Sequence, residues 1–311
     1  MKKLSNFFLF FTTILLAQND QDKIIFLDSL NKETTIENYS YKRVIKDYYK
    51  EKTEYHWLEY YKSGNLKSEK KLSGKDGGYP IGEEVQYYEN GNKKSSEYYE
   101  NKMRSGKKTV WYEKGTLMLE GYFNPEKIRT PEYYILESFW NENETKTIDK
   151  GNGHYKTDAE EGEYINGLKH GTWLSGKYDS GFDYYTDEYK LGEFISGYRI
   201  DANGIRHNYD FLEKKPQPSN GLQDFYQYIS KNFNPTREAI KNKVKGRILL
   251  AFVVEKDGSI VDIKIIKGLR YGLDEEAVRV IQNCPSWIPG EQRGIPIRCS
   301  YNLPLSIDYS K

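Results

Sequence analysis

The chain has little from which to build a metal or redox centre. Its 311 residues include two cysteines and four histidines, and His56, His154, His170 and His207 fall at spacings that match no metal-ligand pattern. An excess of one charge is also missing. Lys and Arg total 47 against 46 Asp and Glu, a formal net charge of +1, which removes the electrostatic case for nucleic acid as a partner. No nucleophile–base set, phosphate-binding glycine loop or paired-carboxylate motif is evident. Acidic pairs such as Glu160-Glu161 read as solvated turns. The residues therefore point away from an enzyme and imply no cofactor and no metal.

An apolar run long enough to span a membrane is absent from the N-terminus. Phe7 to Leu16 is a run of about ten residues, which suits the core of a secretory signal and is short for a span. Lys2 and Lys3 precede it, and small Ala17 and polar Gln18-Asn19-Asp20 follow. The expectation is a signal peptide over residues 1–17, with an uncleaved inner-membrane anchor as the competing reading. No cysteine stands near Ala17, which excludes a lipid-attached one. Export would place the mature chain in the periplasm or envelope, where disulfides can form.

The chain is rich in tyrosine: 29 Tyr against 13 Phe, with aromatics at 15% but hydrophobic residues at only 37%. This suits thin β-structure better than a deep aliphatic core. Residues 18–54 read as an N-terminal cap with a strand or two. From about residue 55 to 213 an internal repeat appears: Tyr60-Tyr61-Lys62-Ser63-Gly64, Tyr87-Tyr88-Glu89-Asn90-Gly91 and Trp111-Tyr112-Glu113-Lys114-Gly115. Glycine can close a hairpin with positive φ, and the alternating stretches on either side predict antiparallel strands. Gly82 and Gly106 are expected to begin new strands, and Asn124 to Lys150 reads as irregular. Asn166-Gly167 is a strong hairpin signal, and Tyr189 to Tyr198 looks like a degraded copy of the repeat.

These units resemble MORN-type repeats, in the bacterial YwqK-type form, over roughly residues 55–210. The resemblance implies an elongated sheet of β-hairpins. Two readings of its rings stand: a binding face, or cross-strand stacking worth about 0.2–1 kcal/mol per pair. The fold class expected overall is mostly β, with this hairpin sheet followed by a small α+β domain.

Lys214 to Gly221, with Pro216 and Pro218, reads as an extended linker. Residues 222–311 follow as a module. Ser219 or Asn220 can cap a first helix carrying Leu222, Phe225, Tyr226, Ile229 and Phe233. A strand from Val244 to Glu255 is apolar on both faces and so central. Glu255-Lys256-Asp257-Gly258-Ser259 turns into a second strand, Ile260 to Lys267. A second helix starts near Leu273 with Leu273, Ala277, Val278 and Ile281 as its buried stripe. In the last stretch Ile297, Cys299, Tyr301, Leu303, Leu305 and Ile307 alternate with polar residues. Pro304 cannot donate to a ladder and marks this strand as an edge.

The order of these motifs resembles the C-terminal domain of the TonB energy-transducer family. The carrying residues are Gly246 to Val254, the Glu255–Ser259 turn, Asp274-Glu275-Glu276-Ala277-Val278, Trp287 with Pro289-Gly290, Gly294 with Pro296, and Leu303 to Ile307. The resemblance covers about residues 220–308. It implies two helices on a three-stranded antiparallel sheet that binds the extended peptide of an outer-membrane TonB-dependent receptor on its last strand. The expected binding edge is Ile297, Arg298, Cys299, Ser300, Tyr301, Asn302 and Leu303. Phe233-Asn234-Pro235 stands where the family often has Tyr-Pro. The long Pro-rich spacer and membrane anchor of a working transducer are not expected here, so docking is better supported than energy transduction.

Two questions stay open at this level. Cys284 and Cys299 can pair as a disulfide or remain free thiols. The aromatic sheet, instead of the last strand, can be the working surface of a structural protein binding other envelope proteins. Trp287 reads as core filling, with Pro289-Gly290 forcing a turn.

Overall fold

The computed structural model describes residues 21–176 and 184–310; the expected signal segment lies outside them. No helix among the described residues is long and apolar enough to cross a membrane. Strands from Lys23–Leu27 to Arg206–Tyr209 form a 16-stranded sheet in sequence order. Backbone contacts divide the chain into two units, residues 1–157 with 163–169, and residues 158–162 with 170–311.

In the first unit the repeat is a repeated turn. Tyr61 N–H donates to Asn65 O (2.9 Å) and Gly64 N–H donates to Tyr61 O (3.0 Å). Tyr88 and Gly91, then Tyr112 and Gly115, repeat this pair of bonds. Each turn ends in a left-handed residue that forms a bulge beside the strand, and the strand registers shift beside each one. The segment expected to be irregular contains two short 3-10 turns, Pro125–Lys127 and Pro131–Tyr133. It then continues the sheet with Tyr134–Trp140 and Lys146–Asp149. Its turn makes the same bonds, Asn141 N–H to Thr145 O and Glu144 N–H to Asn141 O. Glu144 occupies the glycine position with φ 63°, so the glycine signal was missing while the fold was not. Gly82 and Gly106 sit inside the strands Pro80–Tyr87 and Met103–Trp111 instead of starting them.

The tyrosines before the turns knit neighbouring repeats together. Tyr61 donates its hydroxyl to Tyr87 O (2.8 Å), Tyr88 to Trp111 O (2.8 Å) and Tyr112 to Trp140 O (2.9 Å). Rings also pack across strands: Phe123 on Tyr134 at 4.9 Å and Phe139 on Tyr155 at 4.4 Å. Buried apolar clusters are small here, such as Ile45, Tyr55, Trp57 and Leu72, or Leu136, Phe139 and Ile148. These aromatics hold the sheet together, as the stacking reading expects.

In the second unit Tyr184–Lys190 and Glu193–Ile200 form a complete hairpin, closed by Leu191 and Gly192 with φ 47° and 85°. The C-terminal module then builds one continuous core. Its three-stranded sheet has the order Ile260–Lys267, Lys245–Val254, Cys299–Asp308, so Lys245–Val254 is central. Ile248, Leu250, Phe252 and Val254 point from that strand into the core. Against them pack α1 (Gly221–Asn232), through Phe225 and Ile229, and α3 (Leu273–Gln282), through Leu273, Ala277, Val280 and Ile281. Val280, not Val278, completes the α3 stripe; Val278 is only partly buried.

A short helix, α2 (Arg237–Lys241), lies between these elements. Its cap is Thr236, whose hydroxyl accepts from Ala239 N–H at 3.1 Å. On α1 the Asn220 side chain makes no capping bond, and Ser219 Oγ donates instead to Ser286 O (2.5 Å). The extended linker is paired at two places. Glu213–Lys214 pairs with Gly290–Gln292, and Gln217–Pro218 with Trp287–Ile288.

Candidate functional site

The last strand is the natural place to look for a site, because its backbone is paired on one side only. Cys299 to Asp308 pair with Val254 to Lys245, and among the described residues no strand follows on the outer side. Alternation sorts its side chains. Leu303 and Leu305 are buried, Tyr301 and Ile307 half-buried, and Ser300, Asn302, Pro304 and Ser306 exposed. An edge of this kind presents backbone donors and acceptors to an added strand.

Beside its C-terminal half a groove of about 660 Å³ opens between the strand and α1. Tyr226, Ile229, Ser230, Phe233 and Pro235 form one wall, and Pro304 to Tyr309 the other. Tyr226 is exposed although it follows the buried Phe225, because one residue along a helix turns the side chain out of the core. The walls are apolar and hydroxylic. Among the described lining residues the one charge is Asp308, which accepts from Lys245 Nζ at 2.8 Å. Hydrogen bonds from Lys245 and Ser310 hold the Asp308 carboxyl well below the usual carboxylate range. Burial pushes the Tyr301 and Tyr309 hydroxyls up, so both stay neutral donors at ordinary pH.

The expected edge residues fall in different places. Ile297 belongs to a separate short strand, Ile295–Ile297, paired with Gly290–Gln292. Arg298 is committed to Glu255 through Nε (2.6 Å) and to Asp262. Tyr301 stacks on Phe252 (5.5 Å) and meets Trp287 edge-on (4.7 Å). Leu303 is in the core. Arg298, Ser300 and Asn302 are the exposed residues of the seven, and none of the seven lines the groove. Of the groove residues, Pro304 to Ile307 belong to the expected last strand but not to the seven residues expected to carry the binding, and Tyr226, Asp308 and Tyr309 were not expected in the site. The signal that could have found them was an exposed aromatic at Tyr226 together with Phe233 and Pro235, the segment that stands in place of Tyr-Pro.

Cys284 and Cys299 are free thiols. Burial pushes the Cys284 thiol up. The Cys299 sulfur explains Gly290: a Cβ there would lie 2.4 Å from Sγ and 3.3 Å from Lys214 O. Gly290 lies in a strand and is required for room, not for the expected turn. Trp287 fills the core between Phe225 (5.2 Å), Phe252 (5.3 Å) and Tyr301 (4.7 Å). No cluster of ligating side chains suited to a metal occurs among the described residues. His154 pairs with Glu163 and His207 with Asp201 (both 2.8 Å).

Residues 236–309 match the family model described as Gram-negative bacterial TonB protein C-terminal. The match opens at the cap of α2, so α1, one wall of the groove, lies outside it. No curated protein matches the chain.

Proposed function

We propose that the C-terminal module docks an extended peptide by strand addition to Cys299–Asp308, and that the peptide belongs to an outer-membrane TonB-dependent receptor. The reading is supported above all by the open outer edge of that strand with an apolar groove beside it. Main-chain bonds to the edge supply affinity, and the groove between α1 and Pro304–Tyr309 selects side chains. The partner class comes from the family matched by residues 236–309. The role is docking in transmembrane transport, without catalysis, by a chain exported to the periplasm or envelope.

The test is anisotropy of a labelled receptor N-terminal peptide with the full chain. Strand addition predicts that N-methylating alternate peptide amides weakens binding by tenfold or more, about 1.4 kcal/mol. Tyr226→Asp, at an exposed groove position, is expected to weaken it similarly. Equal binding of the methylated peptide would sink the proposal. Export is checked by N-terminal sequencing of the mature protein: a start near Gln18 is expected, and a retained Met1 in the membrane fraction would contradict it.

A second reading uses the repeat sheet as an envelope-binding surface. It is favoured by Tyr98 and Tyr122, which are exposed and lie on the face that carries Lys107, opposite Tyr122 in the register. Under that reading Tyr98→Ser with Tyr122→Ser abolishes capture of the partner, while Tyr226→Asp leaves it unchanged.

A further inference from the structure

Four segments of the second unit converge on one buried carboxylate. Asp187 lies on the strand Tyr184–Lys190, and its side chain is 4% exposed. Tyr209, on the last strand of the large sheet, donates its hydroxyl to Asp187 Oδ1 at 2.5 Å. Arg293 reaches it from the C-terminal module, and its Nη2 donates to Asp187 Oδ2 at 2.7 Å. The strand between contributes Gly197, where a Cβ would lie 2.4 Å from the Tyr209 ring and 2.8 Å from Asp187 Oδ1.

Arg293 is held on both sides. It stands at the tip of the turn between Gly290–Gln292 and Ile295–Ile297, with φ 48°. Its N–H donates to Leu212 O at 2.8 Å, and its guanidinium lies 5.0 Å from the Tyr185 ring. Burial opposes the charge on Arg293, but Asp187 more than offsets this and the guanidinium pKa is raised. Burial and the Asp187 carboxylate together push the Tyr209 hydroxyl far above its ordinary value. A carboxylate at this depth is tolerable only while its partners stay in place.

We propose that Arg293 is a latch that joins the last three sheet strands and the C-terminal module into one cooperative folding body. The module is then fixed to these strands and does not swing on a tether. The chain path supports this. The latch loop runs through Ile295–Ile297 into Arg298, which is itself anchored on Glu255 and Asp262, and then into the Cys299–Asp308 edge. Beside the latch, Gly294 lies against the sheet's final strand: a Cβ there would meet Tyr209 Cβ at 3.5 Å and Asn208 O at 3.8 Å. The loop thereby covers an edge that would otherwise invite pairing with another chain. None of this depends on whether a peptide binds.

The experiment is hydrogen exchange on the full chain, read by segment, for the parent, Arg293→Met, Asp187→Asn and the double variant. Exchange in Tyr184–Lys190 and Arg206–Tyr209 is expected to accelerate by roughly a hundredfold or more in each single variant. The double variant is expected to add little, because both changes break one interaction. Arg298→Met, on the same loop, serves as the control and should leave these strands protected. Protection unchanged within about twofold in both single variants, or equal loss in Arg298→Met, would overturn the latch. Unfolding of the whole body in Arg293→Met also accelerates exchange in these strands and supports it.

Discussion

Val85 and Phe252 are both buried strand residues, yet they sit in regions that hold together differently. Phe252 belongs to a continuous core with Phe225, Trp287, Val280 and Leu303. Val85 lies in a sheet whose buried clusters are small, where ion pairs such as Lys70–Glu84 and Lys108–Glu97 and tyrosine hydroxyls bonded to carbonyls recur from strand to strand. The C-terminal module depends on burial at a distance in sequence. The repeat sheet depends on short-range contacts made again in each hairpin. Damage in the first should spread, and damage in the second should stay local.

The largest test is a matched pair of cavities. Phe252→Ala should cost about 3–5 kcal/mol and remove exchange protection throughout the module. Val85→Ala should cost about 1–2 kcal/mol and affect only neighbouring strands. Urea unfolding combined with segment-resolved exchange checks both, and equal spread of the two effects would erase the contrast.

A glycine pair comes next. Gly258 and Gly91 hold the same turn position, with φ 83° and 89°. A Cβ on Gly91 would meet nothing within 4 Å, whereas on Gly258 it would lie 1.9 Å from Trp287 O. The Gly258 turn is docked on Trp287, whose N–H donates to Gly258 O at 2.8 Å. Gly91→Ala should cost about 1 kcal/mol from backbone strain alone. Gly258→Ala should cost about 3 kcal/mol, because the turn must also leave the Trp287 backbone. Thermal unfolding of the two variants separates these outcomes.

What the sequence revealed follows the same division. Turns marked by glycine, the alternation of the last strand and the doubly apolar central strand were legible because each is a short-range pattern. Glu144 hid a turn because its backbone does what glycine does elsewhere. The five-residue α2 is too short to show a period, although Thr236 was available as a cap signal. The linker pairings involve two residues each and leave no alternation to read. The groove exists because α1 packs beside the last strand, and Asp187 meets Arg293 across 106 residues of chain. Neither has a local signature.

Tyr88 tests how the repeats are joined. Tyr88→Phe removes a hydroxyl that donates to Trp111 O, at an expected cost of about 0.5–1.5 kcal/mol, with faster exchange confined to the adjacent turns. Burial raises the Tyr88 pKa above its ordinary value. A raised folded pKa means that this stabilisation is complete below about pH 10 and is lost as pH rises through the folded value. The difference between parent and variant should therefore be constant up to about pH 9 and shrink at about pH 11. Urea midpoints across that range measure it, and a difference that grew with pH would contradict the bond.

The smallest expected effect has the opposite sign. Glu144 holds φ 63° where the matching turns carry Gly64, Gly91 and Gly115. A left-handed conformation costs a non-glycine residue about 1–2 kcal/mol. Glycine would relieve that strain but add freedom to the unfolded chain, worth about 0.5–1 kcal/mol. Lys114 Nζ also contacts Glu144 at 3.0 Å, but this pair is exposed and contributes little. Glu144→Gly should therefore stabilise the hairpin by about 0.5 kcal/mol, seen as slower exchange at Thr145 and Asn141. A destabilised hairpin would mean that the Lys114 pair outweighs the backbone strain, and that charge reinforces the Tyr112–Trp140 bond at this junction.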